Sequence, residues 1–121
     1  MKTDEIVKLT RENIAAFLAE NAGPVDPYDG PQKRREPRWP FPGAVEVYPC
    51  SANGSVQWLG TLRNVSASGL GMSCERYLKP EMLVDISFHM PDASFYGKAV
   101  VRYCQQVRNE FMCGVEFLFE D

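Results

Sequence analysis

A chain of 121 residues, 45% of them hydrophobic and 24% charged, holds enough material for one buried core but not two. Its formal net charge of -3 excludes a general polyanion binder, and its lack of any apolar run near the roughly 18 residues that cross a bilayer excludes a transmembrane helix. The expected class is one small soluble domain with an appendage.

The start of the chain, MKTDEIVKL, has acidic residues where a signal peptide needs a basic start and an apolar run, so a cytoplasmic location is expected. Cys50, Cys74, Cys104 and Cys113 form no C-x-x-C pair and sit among strand-like neighbours. Buried free thiols in a reducing compartment are the corresponding expectation.

Residues 3 to 22, TDEIVKLTRENIAAFLAENA, place Ile6, Leu9, Asn13 and Ile14, Phe17 and Leu18 near one face at helical spacing. Thr3 is available as N-cap, Asp4 and Glu5 suit the first turn, and Gly23-Pro24 is a stop signal. Residues 1–22 are therefore expected to form an amphipathic helix, whose stripe packs either on the rest of the chain or on a partner. Residues 23–32, GPVDPYDGPQ, carry three prolines and two glycines and read as a linker. That composition leads to the expectation of a segment that orders only when a ligand is bound.

The linker delivers KRREPRW, residues 33–39, to the domain expected over residues 33–121. Residues 31–38 contain four cations and one acidic residue, a net +3, so the remainder of a chain at -3 overall carries -6. Such a cluster is a local anion site and not a coating.

From Gly43 onward, runs rich in β-branched and aromatic residues alternate with turn residues. Residues 44–48, 55–65, 69–73, 82–90, 96–105 and 111–119 read as six strands, with period-two alternation clearest in Val84, Ile86 and Phe88 and in Val115, Phe117 and Phe119. Asn53-Gly54, Pro91-Asp92 and Arg108-Asn109 mark turns. Six short strands without intervening helices imply an antiparallel sheet closed into a small barrel.

Enzyme constellations are absent from the sequence. His89 is the only histidine and has no nearby ligand set, so it reads as a surface or satisfied strand residue, not a metal ligand, and no catalytic residue or cofactor is expected. A second polar island, NVSASGLGM at residues 64–72, interrupts two apolar runs. Asn64 offers an amide with donors and acceptors, Ser66 a hydroxyl, and Gly69 a backbone position without a Cβ. Taken alone, the island is either a floor for a small polar ligand or simply a tight turn.

The two patterns together, Arg34-x-x-x-Arg38 and then Asn64-x-Ser66-x-x-Gly69, resemble the PilZ family of bacterial cyclic di-GMP receptors. The resemblance continues through the LGM after the glycine, LKPEMLVDISFHMP, GKAVVRY and CGVEFLF, covering about residues 33–119. It implies an all-β core, a six-stranded antiparallel barrel, here with an N-terminal amphipathic helix and no obvious C-terminal helix. PilZ domains usually end in a helix over one barrel mouth, so here either the N-terminal helix or a partner is expected to supply that cover. Glu81 stands where many relatives have glycine after a proline.

The resemblance further implies a non-catalytic receptor or adaptor that changes conformation or partner binding when cyclic di-GMP binds. Ligand contact is assigned to Arg34, Arg38, Asn64, Ser66 and Gly69. The planar arginine fork matches phosphate oxygens and the O6/N7 edge of guanine, and the Asn64 amide matches a guanine edge. Lys33, Arg35, Ser68 and Trp39 are further candidate contacts. Lys33 leans toward binding of an intercalated ligand pair, Arg35 can equally face solvent, and Trp39 either stacks on a base or anchors the first strand. A downstream protein partner is expected, with no nucleic acid and no membrane insertion.

Two other readings stay open at this point. A PilZ-like barrel can serve as a protein interaction module without nucleotide, and a small barrel can bind single-stranded nucleic acid through the basic segment with Trp39, Phe41 and Tyr48. The intact paired motif argues against the first, and the acidic remainder of the chain against the second.

Overall fold

In the computed structural model, residues 6–21, 38–50 and 56–119 are described. Among them the chain runs β1 (Ile6–Lys8), α1 (Arg11–Asn21), β2 (Trp39–Pro49), β3 (Trp58–Val65), β4 (Gly69–Cys74), β5 (Leu83–His89), β6 (Ser94–Val107) and β7 (Glu110–Leu118). Strands β2, β3, β4, β7, β6 and β5 follow one another around a sheet in which every neighbour is antiparallel, and the β5–β2 pairing closes it. The expected six-stranded barrel is present, with β1 as one strand more.

Alternation builds the interior. Val45 and Val47, Leu70 and Met72, Val84, Ile86 and Phe88, Ala99 and Val101, and Val115 and Phe117 turn inward from their strands and are all buried. Closing the sheet removes the unpaired edges that six exposed strands would otherwise present.

The N-terminal segment differs from the helix expected from residue 3 onward. Residues Ile6–Lys8 form a parallel strand on β6, in register from Ile6↔Ser94 to Lys8↔Tyr96. They occupy the stretch of β6 just before β7 takes over at Lys98↔Leu118. The ladder continues with Leu9 N–H donating to the Tyr96 carbonyl at 2.7 Å. An open length of β6 offers Ile6–Lys8 backbone hydrogen-bond partners along one side of the segment, whereas the N–H groups of a first helical turn have none within the helix.

The helix itself starts after Thr10, whose Oγ1 accepts the Asn13 N–H at 3.0 Å as an N-cap. Thr3, the cap expected from sequence, lies outside the described residues, as do the linker at 23–32 and the Asn53-Gly54 turn.

The apolar stripe of α1 faces the barrel. Ile14, Phe17 and Leu18 are buried, and the Phe17 ring lies 5.2 Å from that of Phe41 and 5.6 Å from that of Phe95. At the same end the Arg11 guanidinium sits 4.7 Å over the Phe119 ring. Since Phe41 lies near the start of β2, Phe95 near the start of β6 and Phe119 just after β7, α1 covers the mouth where these strand ends meet.

Two tight turns carry positive φ. Arg108, first of the two loop residues between β6 and β7, has φ 59, as primed hairpin turns require there. Glu81 has φ 74, a left-handed backbone that glycine adopts with less strain.

Candidate functional site

Arg38 immediately precedes β2, and Asn64 is the penultimate residue of β3. The β2–β3 ladder pairs Trp39 with Val65 and Pro40 with Asn64, bringing residues 26 positions apart in the chain side by side. Arg38 Nη1 donates to Asn64 Oδ1 at 3.3 Å in a partly buried contact. A guanidinium held by a neighbouring acceptor loses part of its rotational freedom before any ligand arrives, which reduces the ordering cost of binding.

Asn64 faces outward because of a bulge. Leu62 pairs with Met72 and Asn64 with Gly71, so Arg63 is an extra residue in β3. Strict alternation would put Asn64 on the inward face of Leu62. The bulge instead turns both Arg63 and Asn64 outward while Leu62 and Val65 stay buried. Arg63 itself lies 3.6 Å from Glu110 across the surface.

Beneath the pair lies Gly71, the second glycine of the polar island, to which the sequence assigns no role. A Cβ there would stand 2.8 Å from Asn64 Oδ1 and 3.3 Å from Arg38 Nη1, so the absent side chain is the space that the pair occupies. Only the β3–β4 register shows this; the available signal was a second glycine two residues after Gly69.

The turn between β3 and β4 is held by Ser66. Its Oγ accepts the N–H groups of Ser68 at 3.3 Å and Gly69 at 3.1 Å, and its own N–H donates to the Gly69 carbonyl at 2.8 Å. Ser66 is only 3% exposed, so its hydroxyl is used in shaping the loop that Asn64 enters. The Ser68 carbonyl accepts Phe117 N–H at 2.8 Å, tying the turn to β7. Gly69 is required by close approach: a Cβ there would overlap the Val115 carbonyl oxygen, a backbone atom that cannot move aside without disturbing β7.

Of the residues singled out in the sequence, the structure thus brings Arg38, Asn64, Ser66, Ser68 and Gly69 to one end of the β2–β3–β4 surface. Trp39 packs against the hydrophobic core. Lys33, Arg34 and Arg35 lie outside the described residues.

His89, on β5, has Nδ1 at 2.9 Å from Ser94 Oγ and Nε2 at 3.4 Å from Glu46. Among the described residues no group of three or more His, Cys, Asp or Glu is arranged to hold a metal ion, and no helix is long and apolar enough to cross a membrane. Chemically, the arrangement offers a positioned planar cation and the donors of the Asn64 amide, seated over a glycine. Those are the elements of a site for an anion carrying a hydrogen-bonding planar edge.

The model of the family described as PilZ domain matches residues 32–121. Among solved structures, the PilZ domain with c-di-GMP of YcgR from Escherichia coli superposes with a TM-score of 0.59 at 18% identity, covering 72% of this chain and 79% of that one. MrkH, described as a c-di-GMP-dependent transcription regulatory factor, superposes with a TM-score of 0.57 at 16% identity, covering 74% of this chain and 45% of that one. This chain therefore spans less than half of MrkH. At these identities the likeness shows a shared fold. No curated protein matches the chain by sequence.

Proposed function

The chain belongs to the PilZ domain family, and from that we propose that it is a non-catalytic receptor for cyclic di-GMP that passes occupancy on to a protein partner. The observation that carries the reading is the Arg38–Asn64 contact over Gly71, in which a motif cation and a motif amide meet across 26 residues of sequence. Cyclic di-GMP is an anion with two phosphates and two guanine edges, and both chemistries suit a bidentate guanidinium. The structural neighbour YcgR is described with c-di-GMP, which supports the same ligand class here.

In this reading Arg38 takes a phosphate or the O6/N7 edge of a guanine, and Asn64 holds the arginine while its amide N–H groups face the ligand. Arg34, four positions earlier in the motif, supplies a second cation. Ser66 and Gly69 act by shaping the turn from which Asn64 projects, and Gly71 leaves room for the Arg38–Asn64 pair itself. Lys33, Arg35 and Ser68 border the ligand, and Lys33 favours an intercalated pair of nucleotides over a single one. Occupancy changes the surface around the start of β2, and that change is the signal read by the partner.

Isothermal titration with cyclic di-GMP tests this directly. Binding is expected, with Arg34→Ala and Arg38→Ala each weakening it about tenfold or more, since loss of a charge-assisted contact costs about 1.5–3 kcal/mol. Absence of heat with the unmodified chain at tens of micromolar ligand refutes the proposal.

A further inference from the structure

Away from the Arg38–Asn64 pair, three of the four cysteines converge where β4, β6 and β7 meet. Cys104 and Cys113 are direct register partners across the β6–β7 hairpin, and their sulfurs stand 2.9 Å apart. Cys74 approaches Cys113 from β4 with a sulfur separation of 3.8 Å. All are free thiols.

The backbone already satisfies what a disulfide between Cys104 and Cys113 needs. Directly opposed residues of an antiparallel pair have Cα atoms about 4.5–5.5 Å apart, inside the roughly 4.4–6.8 Å range of disulfide-bonded cysteines. Cys74 is offset from Cys113, because its own register partner is Phe111 while Cys113 pairs with Met72. Cys104 and Cys113 also differ usefully in access. Cys113 is 1% exposed, whereas Cys104 is partly exposed. The Leu78 N–H donates to the Cys104 sulfur at 3.3 Å, which fixes the position of that sulfur beside Cys113.

We propose that Cys104 and Cys113 form a reversible dithiol–disulfide site oxidised by hydroperoxides. Cys104, the reachable sulfur, attacks the terminal peroxide oxygen; the O–O bond breaks, the departing oxygen takes up the thiol proton and leaves as alcohol or water, and Cys104 becomes a sulfenic acid. The Cys113 sulfur then attacks that of Cys104, forming the S–S bond and expelling the hydroxyl, which leaves as water with the Cys113 proton. Two thiols and one hydroperoxide give one disulfide, one alcohol or water, and one further water. A small thiol reductant reverses the reaction by exchange.

A third sulfur adjoins the pair: Cys74 and Cys113 share a contact at 3.8 Å, which lowers the Cys74 thiol and, with burial and the Cys104 sulfur, pushes the Cys113 thiol up. Cys50 is the contrasting case: it lies away from the cluster, and its thiol is pushed up by slight desolvation and by the Asp85 carboxylate.

Trypsin separates the sulfurs, since cleavage after Arg63, Arg76, Arg102 and Arg108 places Cys74, Cys104 and Cys113 in residues 64–76, 103–108 and 109–121. The folded chain is treated with hydrogen peroxide, alkylated, digested without reductant and analysed by mass spectrometry. The expected product joins 103–108 to 109–121, weighs two hydrogens less than the two peptides together, and disappears on adding dithiothreitol. Cys104→Ser, at a partly exposed position, is expected to keep the circular dichroism of the parent and lose the product, while Cys74→Ser retains it. A 64–76 to 109–121 linkage in its place, a linkage formed only by the chain in urea, or oxygen additions to 103–108 without linkage would each overturn the proposal.

Discussion

Replacing Gly71 by alanine perturbs the candidate site without removing any group assigned to the ligand. The added carbon would stand 2.8 Å from Asn64 Oδ1 and 3.3 Å from Arg38 Nη1. Ordinary contact between heavy atoms lies near 3.5 Å, so the amide must withdraw by about half an ångström or more. The Arg38–Asn64 hydrogen bond is already long at 3.3 Å, and such a retreat takes it outside bonding range. Both obstructing atoms are ends of side chains and not backbone, so the barrel persists, at a cost under about 1 kcal/mol.

The effect on binding is larger than the effect on folding. Losing the placement of one charge-assisted contact costs about 1.5–3 kcal/mol, which corresponds to a Kd about ten- to a hundredfold weaker. Titration calorimetry with cyclic di-GMP reads this, and thermal melting of the same preparation shows that the fold is intact. If Gly71→Ala binds within about threefold of the parent while Arg38→Ala abolishes binding, the contact with Asn64 is not what presents the arginine, and the reasoning fails.

Phe17→Ala removes a ring that lies 5.2 Å from Phe41 and 5.6 Å from Phe95, so it is expected to cost about 3–5 kcal/mol and to lower the thermal midpoint by more than about 10 °C. An unchanged midpoint would mean that α1 is not held on the barrel. Glu81→Gly relieves a left-handed backbone at φ 74, worth about 1 kcal/mol, against loss of an exposed ion pair with Arg102 at 3.2 Å. The midpoint is expected to rise by a few degrees, and a fall would show that the ion pair outweighs the backbone strain.

The barrel was legible because its strands repeat with period two. Val84, Ile86 and Phe88 alternate with Asp85, Ser87 and His89, and all three are buried. The N-terminus was not, because Ile6 and Leu9 fall at helical spacing from Phe17 as readily as on a strand. What decided it was an unfilled stretch of β6, a feature of other residues altogether. The cap falls at Thr10 because the β1–β6 pairing holds Ile6–Lys8 extended up to that point.

For the candidate site, the sequence by itself determined the motif: two arginines, an amide, a hydroxyl and glycines in an order that resembles the family. Only the tertiary structure decided how they are arranged. The bulge at Arg63 turns Asn64 outward toward Arg38, Ser66 is committed to its own turn, and Gly71 lies under the pair. The same register sets Cys104 against Cys113. The physical reason is that composition and periodicity act within a few residues of chain, whereas register is settled by the whole closed sheet, in which a slip of one position sends each side chain to the opposite face.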